Sequence, residues 1–134
     1  MLNRRHLVAA AVGVLAFGTA LTLAPAANAA PQAYSQQAFT AAQDAGKPIL
    51  LHITAPWCPT CKAQKPILGK IEAEPQFKNL VVLNIDFDSQ KALLRTLRVN
   101  QQSTLIVYKG KTEVGRSVGD TNPASIAALV GKTL

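Results

Sequence analysis

The sequence predicts an α/β domain with a central mixed sheet of about four strands flanked by helices. Two nearly continuous apolar runs, at residues 49–53 and 80–87, have strand length and are typical of strands buried on both faces. Two further strands, at 104–108 and 113–118, are separated by a short polar turn with a glycine and predict a hairpin. Strands that alternate with helices indicate a parallel sheet, to which the hairpin adds an antiparallel edge.

The segments around the first buried strand have helical character. A helix at 36–45 ends at Gly46, and a second helix at 59–73 follows the strand. Pro59 suits the first position of that second helix, because a backbone N–H would have no partner there. Pro66 lies inside the same helix and is expected to kink it, since it removes one hydrogen bond.

The second half of the chain continues the alternation. Residues 91–98 carry apolar side chains at helical spacing. Thr121 or Asn122 is the predicted cap of a last helix, which has Pro123 just inside its start. The stretch at 31–35, ahead of the first helix, is polar and is predicted to be irregular.

Residues 1–29 have the three parts of a secretory signal peptide. Arg4 and Arg5 give a charged start, 7–23 are apolar and uncharged, and 27–29 form a small-x-small cleavage pattern. The adjacent arginines also fit a twin-arginine export signal, and an ordinary export leader is the alternative. Either leader predicts a protein delivered to the periplasm.

Removal of the leader leaves a domain at residues 30–134 with twelve basic and seven acidic side chains, a net charge of +5. The basic residues are scattered, without a run of like charge or interleaved aromatics, so no nucleic-acid partner is predicted. A solvated surface accounts for the excess. We expect a monomer that contacts the membrane only through its leader before cleavage.

Cys58 and Cys61 form a Cys-x-x-Cys motif at the point where a buried strand gives way to a helix. The first N–H groups of a helix have no partner and its dipole is positive there, which stabilises a thiolate at Cys58. The thiolate is the attacking species in disulfide exchange. Cys61 lies one turn later on the same side, where it can resolve a mixed disulfide. This arrangement predicts thiol–disulfide redox chemistry.

Two other interpretations of the cysteine pair remain open. A purely structural bridge would close a very small loop and would constrain little of the unfolded chain. Structural zinc needs four ligands, whereas the chain offers the two cysteines, His52 and little else nearby. Copper(I) is bound by two thiolates in principle, so a copper(I) carrier or a metal-site maturation factor is the alternative to a redox enzyme. The redox interpretation needs no metal and no bound cofactor.

Several segments resemble thioredoxins. Residues 55–62, which read APWCPTCK, together with Pro66 resemble the thioredoxin active-site strand and helix. Residues 83–86 resemble the next strand, and 104–110 resemble the hairpin after it. Residues 45–48 are similar to exported thioredoxin-like domains, including the periplasmic domain that passes electrons on from a membrane reductant conductor.

The resemblance implies a thioredoxin-like fold over residues 30–134 and a thiol–disulfide oxidoreductase that acts on exported proteins. It implies that Cys58 attacks, that Cys61 resolves, and that the two form a Cys58–Cys61 disulfide. Contacts with client proteins are expected at five more positions, Trp57, Pro59, Thr60, Ser103 and Thr104. We favour a reductive role with a membrane-bound electron donor, because the chain has no extra helical domain like that of dedicated disulfide-introducing oxidases.

Three positions depart from the thioredoxin pattern. Ser103 stands where thioredoxins carry a cis-proline facing the cysteines. A cis bond before a non-proline residue costs about 2.5–4 kcal/mol, so the Gln102–Ser103 bond is predicted to be trans. The docking loop is then expected to differ, either with Ser103 hydrogen-bonding a thiolate or with a looser loop that admits a metal. His52 replaces the buried acid beneath the second cysteine, and Val82 replaces the lysine that accompanies that acid.

Four side chains near the motif have two interpretations each. A buried His52 near Cys61 can accept its proton, since histidine titrates near neutral pH, or it is a hydrogen-bonded core residue. Trp57 is expected to lie beside the cysteines as a lid rather than to pack in the core. Asp86 and Asp88 are expected to be solvated or capping residues and not a catalytic pair.

Overall fold

One mixed sheet of five strands organises the computed structural model, which describes residues 30–134. The predicted signal peptide at 1–29 lies outside the described residues, so its cleavage and export route stay predictions. Side by side, the strands are β1 (Gln32–Ala33), β3 (Val81–Asp86), β2 (Pro48–Thr54), β4 (Thr104–Lys109) and β5 (Thr112–Val118). β1, β3 and β2 are parallel, and β4 and β5 are each antiparallel to the strand before them in the sheet.

Helices flank this sheet. They are α1 (Gln36–Asp44), α2 (Pro59–Glu72), α3 (Lys91–Thr96) and α4 (Pro123–Gly131), and a short 3-10 turn covers Pro75–Phe77. Pro59 opens α2 as predicted, and α2 continues through Pro66. Across the described part of the chain, no helix has both the length and the apolar character needed to cross a membrane.

The sheet has one strand more than the predicted four. The additional strand is β1, in the stretch at 31–35 that was expected to be irregular, where Gln32 pairs with Leu83 and Ala33 with Asn84. Both β1 residues are exposed, so no apolar alternation marks this strand in the sequence. It is a strand because the edge of β3 offers it backbone partners.

α3 also ends two residues earlier than the predicted stretch at 91–98. Arg98 has a φ of 56°, in the left-handed region that an α-helix cannot contain. The N–H of Arg98 donates to the carbonyl of Arg95, and the N–H of Val99 donates to the carbonyl of Leu94. These bonds close the last turn and direct the chain toward the loop before β4.

The sheet separates two apolar clusters, because alternate residues of a strand point to opposite faces. In β2, Ile49, Leu51 and Ile53 pack with residues of α1 and α3. Leu50 packs on the other face with residues of α2 and α4. His52 is on that second face by alternation, so a titratable side chain lies buried beneath α2.

Candidate active site

Cys58 and Cys61 are joined by a disulfide at the start of α2, with their Cα atoms 5.3 Å apart. Cys58 is the N-cap residue, and its Sγ accepts a hydrogen bond from the backbone N–H of Cys61 at 3.1 Å. The pairing implied by the thioredoxin resemblance is therefore present. No acidic side chain lies in the first turn of α2, so the positive end of the helix dipole there is available to a Cys58 thiolate.

Both sulfurs are enclosed. Cys58 is 1% exposed and Cys61 is fully buried, and they pack with Ala55 and the half-buried Phe87. Cys61 Sγ also lies 3.9 Å from the carbonyl oxygen of Ile53. An incoming thiolate therefore reaches Cys58 in the oxidised protein only when neighbouring groups move aside.

Trp57 is the most exposed large apolar side chain described, with 56% of its surface accessible. Its indole Nε1–H donates to Oδ2 of Asp88 at 2.8 Å. Asp88 sits in a turn closed by Asp86, whose Oδ1 accepts from the N–H of Asp88 at 3.1 Å and the N–H of Ser89 at 2.7 Å. The hydrogen bonds from Ser89 hold the pKa of Asp86 below its usual value. The two aspartates thus close a turn and hold the tryptophan beside the disulfide.

The loop before β4 is held in an unusual backbone conformation. Ser103 has a φ of 56°, and no cis peptide bond occurs in residues 30–134, so the predicted trans bond before Ser103 is confirmed. The N–H of Ser103 donates to the carbonyl of Ile53 at 2.8 Å. Its hydroxyl donates to the carbonyl of Gln102 at 2.6 Å, and Thr104 Oγ1 donates to the carbonyl of Gln101 at 2.7 Å. Hydrogen bonds therefore hold the loop at several points, and the expectation of a looser loop is wrong.

Of the other predicted client contacts, Pro59 is exposed and Thr60 is half-buried, both in the first turn of α2. The structure thus brings the first turn of α2, Trp57 and the cysteines into one region. Ser103 is joined to the end of β2, just before the motif, by its bond to Ile53.

A buried glutamine connects the histidine to that loop. Gln64 is fully buried, and its Nε2 donates to the carbonyl of Ser103 at 3.0 Å and to the carbonyl of Asp120 at 2.9 Å. Its Oε1 lies 3.1 Å from Nε2 of His52. Sequence reasoning missed Gln64, although it left a signal. The buried positions of α2 are Cys61, Gln64, Leu68 and Ile71, a helical stripe with one polar member.

His52 is 2% exposed, and its hydrogen bonds go to the side chains of Gln64 and Asn84. Burial lowers its pKa below the usual value, and the nearby Lys65 charge lowers it further, whereas the two amide hydrogen bonds act in the opposite direction. The net decrease means that the folded protein favours the neutral imidazole over the charged form.

A pocket of about 260 Å³ adjoins the imidazole. His52, Val82 and Asn84 form part of its wall, with Lys65 and Glu72 from α2. Val82, which stands where thioredoxins carry a lysine, contributes an apolar side chain to this wall. Within residues 30–134, no group of three or more histidine, cysteine, aspartate or glutamate side chains is placed so that it could hold a metal ion.

Comparison with known proteins agrees with this architecture. The family model for thioredoxin matches residues 24–132. The chain belongs to the thioredoxin family. Thioredoxin from Chlamydia trachomatis serovar D is 33% identical over 101 residues, which are 75% of this chain and 96% of that protein. The crystal structure of Trxlp from Edwardsiella tarda EIB202 superposes with a TM-score of 0.72 at 44% identity, covering 74% of this chain and 96% of that one.

A second kind of relative is a thiol:disulfide interchange protein. DsbE of Escherichia coli K12 is 34% identical over 74 residues, which are 55% of this chain and 39% of that protein. Membership of the thioredoxin family, together with the Cys58–Cys61 pair, makes the chain a protein-disulfide oxidoreductase.

Proposed function

We propose that this thioredoxin-family protein reduces disulfides in exported proteins, in the periplasm. The observation that carries the proposal is the Cys58–Cys61 disulfide at the N-terminus of α2, directly after an exposed tryptophan. The leader-like segment at 1–29 and the similarity to DsbE support the location. We expect the protein to act as a monomer.

The exchange balances as two successive sulfur displacements. The Cys58 thiolate attacks one sulfur of a client disulfide, which forms a mixed disulfide and releases the other client sulfur as a thiolate. The Cys61 thiolate then attacks Cys58 Sγ, which forms the Cys58–Cys61 bond and releases the second client thiolate. Two electrons pass from the protein to the client, and the client thiolates take up protons. A membrane-bound dithiol donor restores the reduced pair by the reverse exchange.

The client docks on the surface around the disulfide. Trp57 offers an exposed apolar face, and Pro59 and Thr60 form the rim at the start of α2. The other two proposed contacts, Ser103 and Thr104, lie where the chain enters β4, and both are buried. His52 is the proposed proton acceptor for Cys61, because its imidazole is buried against α2, the helix that carries Cys61.

Trapping tests the exchange mechanism. The Cys61→Ser variant keeps the attacking sulfur and lacks the resolving one, so mixed disulfides with clients should accumulate. Cells that express this variant with its leader are expected to contain covalent adducts that a reductant releases. Cys58→Ser is the matched control and should give none. Recovery of no adducts, or of equal amounts from both variants, contradicts the mechanism.

The reduction potential of Cys58–Cys61 tests the direction. Metal-free protein is equilibrated in dithiothreitol or glutathione buffers, and the oxidised fraction is measured. We expect a value near that of thioredoxin, about −270 mV, which fits an electron donor with a membrane reductant behind it. A value near −120 mV would identify an oxidant. A pair that forms no disulfide would point instead to the copper(I) carrier.

A further inference from the structure

Gln64 is a fully buried polar side chain on the face of α2 that packs against the sheet. It lies three residues after Cys61 on the buried stripe of α2, next to Leu68 on the following turn. Burial of an amide costs free energy unless its donors and acceptor are all used. Gln64 uses both N–H groups and its oxygen, on three different segments of the chain.

The orientation of the Gln64 amide follows from its partners. The groups near Nε2 are the backbone carbonyls of Ser103 and Asp120, which can only accept hydrogen bonds. The NH₂ group must face them, and Oε1 must therefore face His52. Because Oε1 can only accept, the hydrogen between them belongs to Nε2 of His52. Neutral His52 thus carries its proton on Nε2, and Nδ1 is its one basic atom.

The loop depends on the same amide. The backbone of Ser103 is in the left-handed region, which is unfavourable for residues other than glycine. Its carbonyl accepts from Gln64 Nε2 and from the N–H of Gly119, both at 3.0 Å. Asp120, held by the second Gln64 bond, follows Gly119 directly. Gln64 therefore ties the turn before β4 and the turn before α4 to the helix that carries the cysteines.

We propose that Gln64 is a positioning residue, which holds the Ser103 and Asp120 turns against α2 and fixes the tautomer of His52. The inference rests on the proposed function in one respect, namely that the Ser103 turn contacts the client. Loss of the Gln64 hydrogen bonds weakens docking of a protein disulfide. It leaves the reaction of Cys58 with a small disulfide unchanged, because a small disulfide does not contact the Ser103 turn.

Two variants separate the contact of Gln64 with His52 from its contacts with the two backbone carbonyls. Gln64→Met keeps the length of the side chain and removes all three hydrogen bonds. Gln64→Glu keeps an acceptor for His52 and offers at most one hydrogen to the two carbonyls. Gln37→Met is the matched control, because Gln37 is an exposed glutamine of α1.

The measurements are steady-state reduction of insulin and of oxidised glutathione, with dithiothreitol as the electron source, and imidazole nitrogen NMR of His52. Both Gln64 variants should raise KM for insulin about fivefold to tenfold, as expected for lost buried hydrogen bonds. In Gln64→Glu, which keeps the acceptor for His52, kcat and the glutathione rate should stay within about twofold of wild type. The NMR spectrum should show an Nε2–H tautomer in the wild type and in Gln64→Glu, and a tautomer mixture in Gln64→Met. Gln37→Met should match wild type.

An unchanged KM for insulin in both variants, or a parallel fall in the insulin and glutathione rates of Gln64→Glu, overturns the positioning role. A wild-type His52 protonated on Nδ1 overturns the assigned contact. Should Gln64→Met fail to fold, Gln64→Glu alone still decides the KM prediction. If wild-type protein reduces neither disulfide, the proposed function fails, while the NMR spectrum still tests the Gln64 contact.

Discussion

At the scale of single residues, Ser103 shows how the protein replaces a family feature with different chemistry. Thioredoxins place a cis-proline at this position, whereas this chain uses a trans serine with a φ of 56° and a backbone N–H bonded to Ile53. Proline fixes φ near −65° and has no N–H to donate. The two solutions are therefore not interchangeable within an otherwise unchanged backbone.

Ser103→Pro should therefore destabilise the protein, even though it restores the family's residue. The lost N–H bond and the incompatible φ together should lower the free energy of unfolding by at least about 2 kcal/mol. The measurement is urea unfolding followed by circular dichroism. Ser103→Gly is the control, because glycine adopts positive φ without strain, and its change should stay within about 1 kcal/mol. A Ser103→Pro variant as stable as wild type would mean that the loop switches readily to a cis form.

At the scale of elements, patterns that rest on burial could be predicted, and those that rest on pairing could not. The apolar runs gave β2 and β3, because strands buried on both faces leave few polar residues. β1 was missed, because two exposed residues carry no periodicity, and their strand character comes from the neighbouring strand. The end of α3 was missed for a similar reason, since the left-handed Arg98 is set by the turn that follows.

The residues of the site also fall into two groups, those that could be predicted from the sequence and those that depend on tertiary packing. The cysteine motif and the departures at His52, Ser103 and Val82 could be found in the sequence, because each stands at a recognisable position of the thioredoxin pattern. The partner of His52 could not be identified, because Gln64 meets it only when β2 packs beneath α2. The polar member of the α2 stripe was visible as a pattern, but its function depends on segments 39 and 56 residues away along the chain.

At the scale of the whole molecule, His52 links the stability of the fold to pH. Its pKa in the folded protein lies below the usual value, and burial is the main cause. The unfolded chain, with a pKa of about 6.5, therefore binds this proton more readily than the folded chain. Stability from His52 is fully present above that value and is lost as the pH falls from there through the folded pKa.

The free energy of unfolding should accordingly decrease as the pH is lowered from about 7.5 to about 5, by at most about 1.4 kcal/mol per pH unit from this one group. His52→Gln keeps a donor for Gln64 and removes the titration, so its curve should be flatter over the same interval. Titrating groups that lie away from position 52 are common to both proteins and cancel in the difference. Identical pH profiles would show that the folded pKa of His52 is not lowered.

The same pair of proteins separates the two roles of His52. A buried, hydrogen-bonded histidine accounts for the stability difference whether or not it moves protons. Proton transfer to Cys61 requires more, because resolution of the mixed disulfide needs a Cys61 thiolate. If His52 accepts that proton, His52→Gln should slow release of a client from a preformed mixed disulfide at about pH 7, and raising the pH should restore the rate. If the release rate stays at the wild-type value over the whole pH range, His52 is a structural core residue and takes no part in proton transfer.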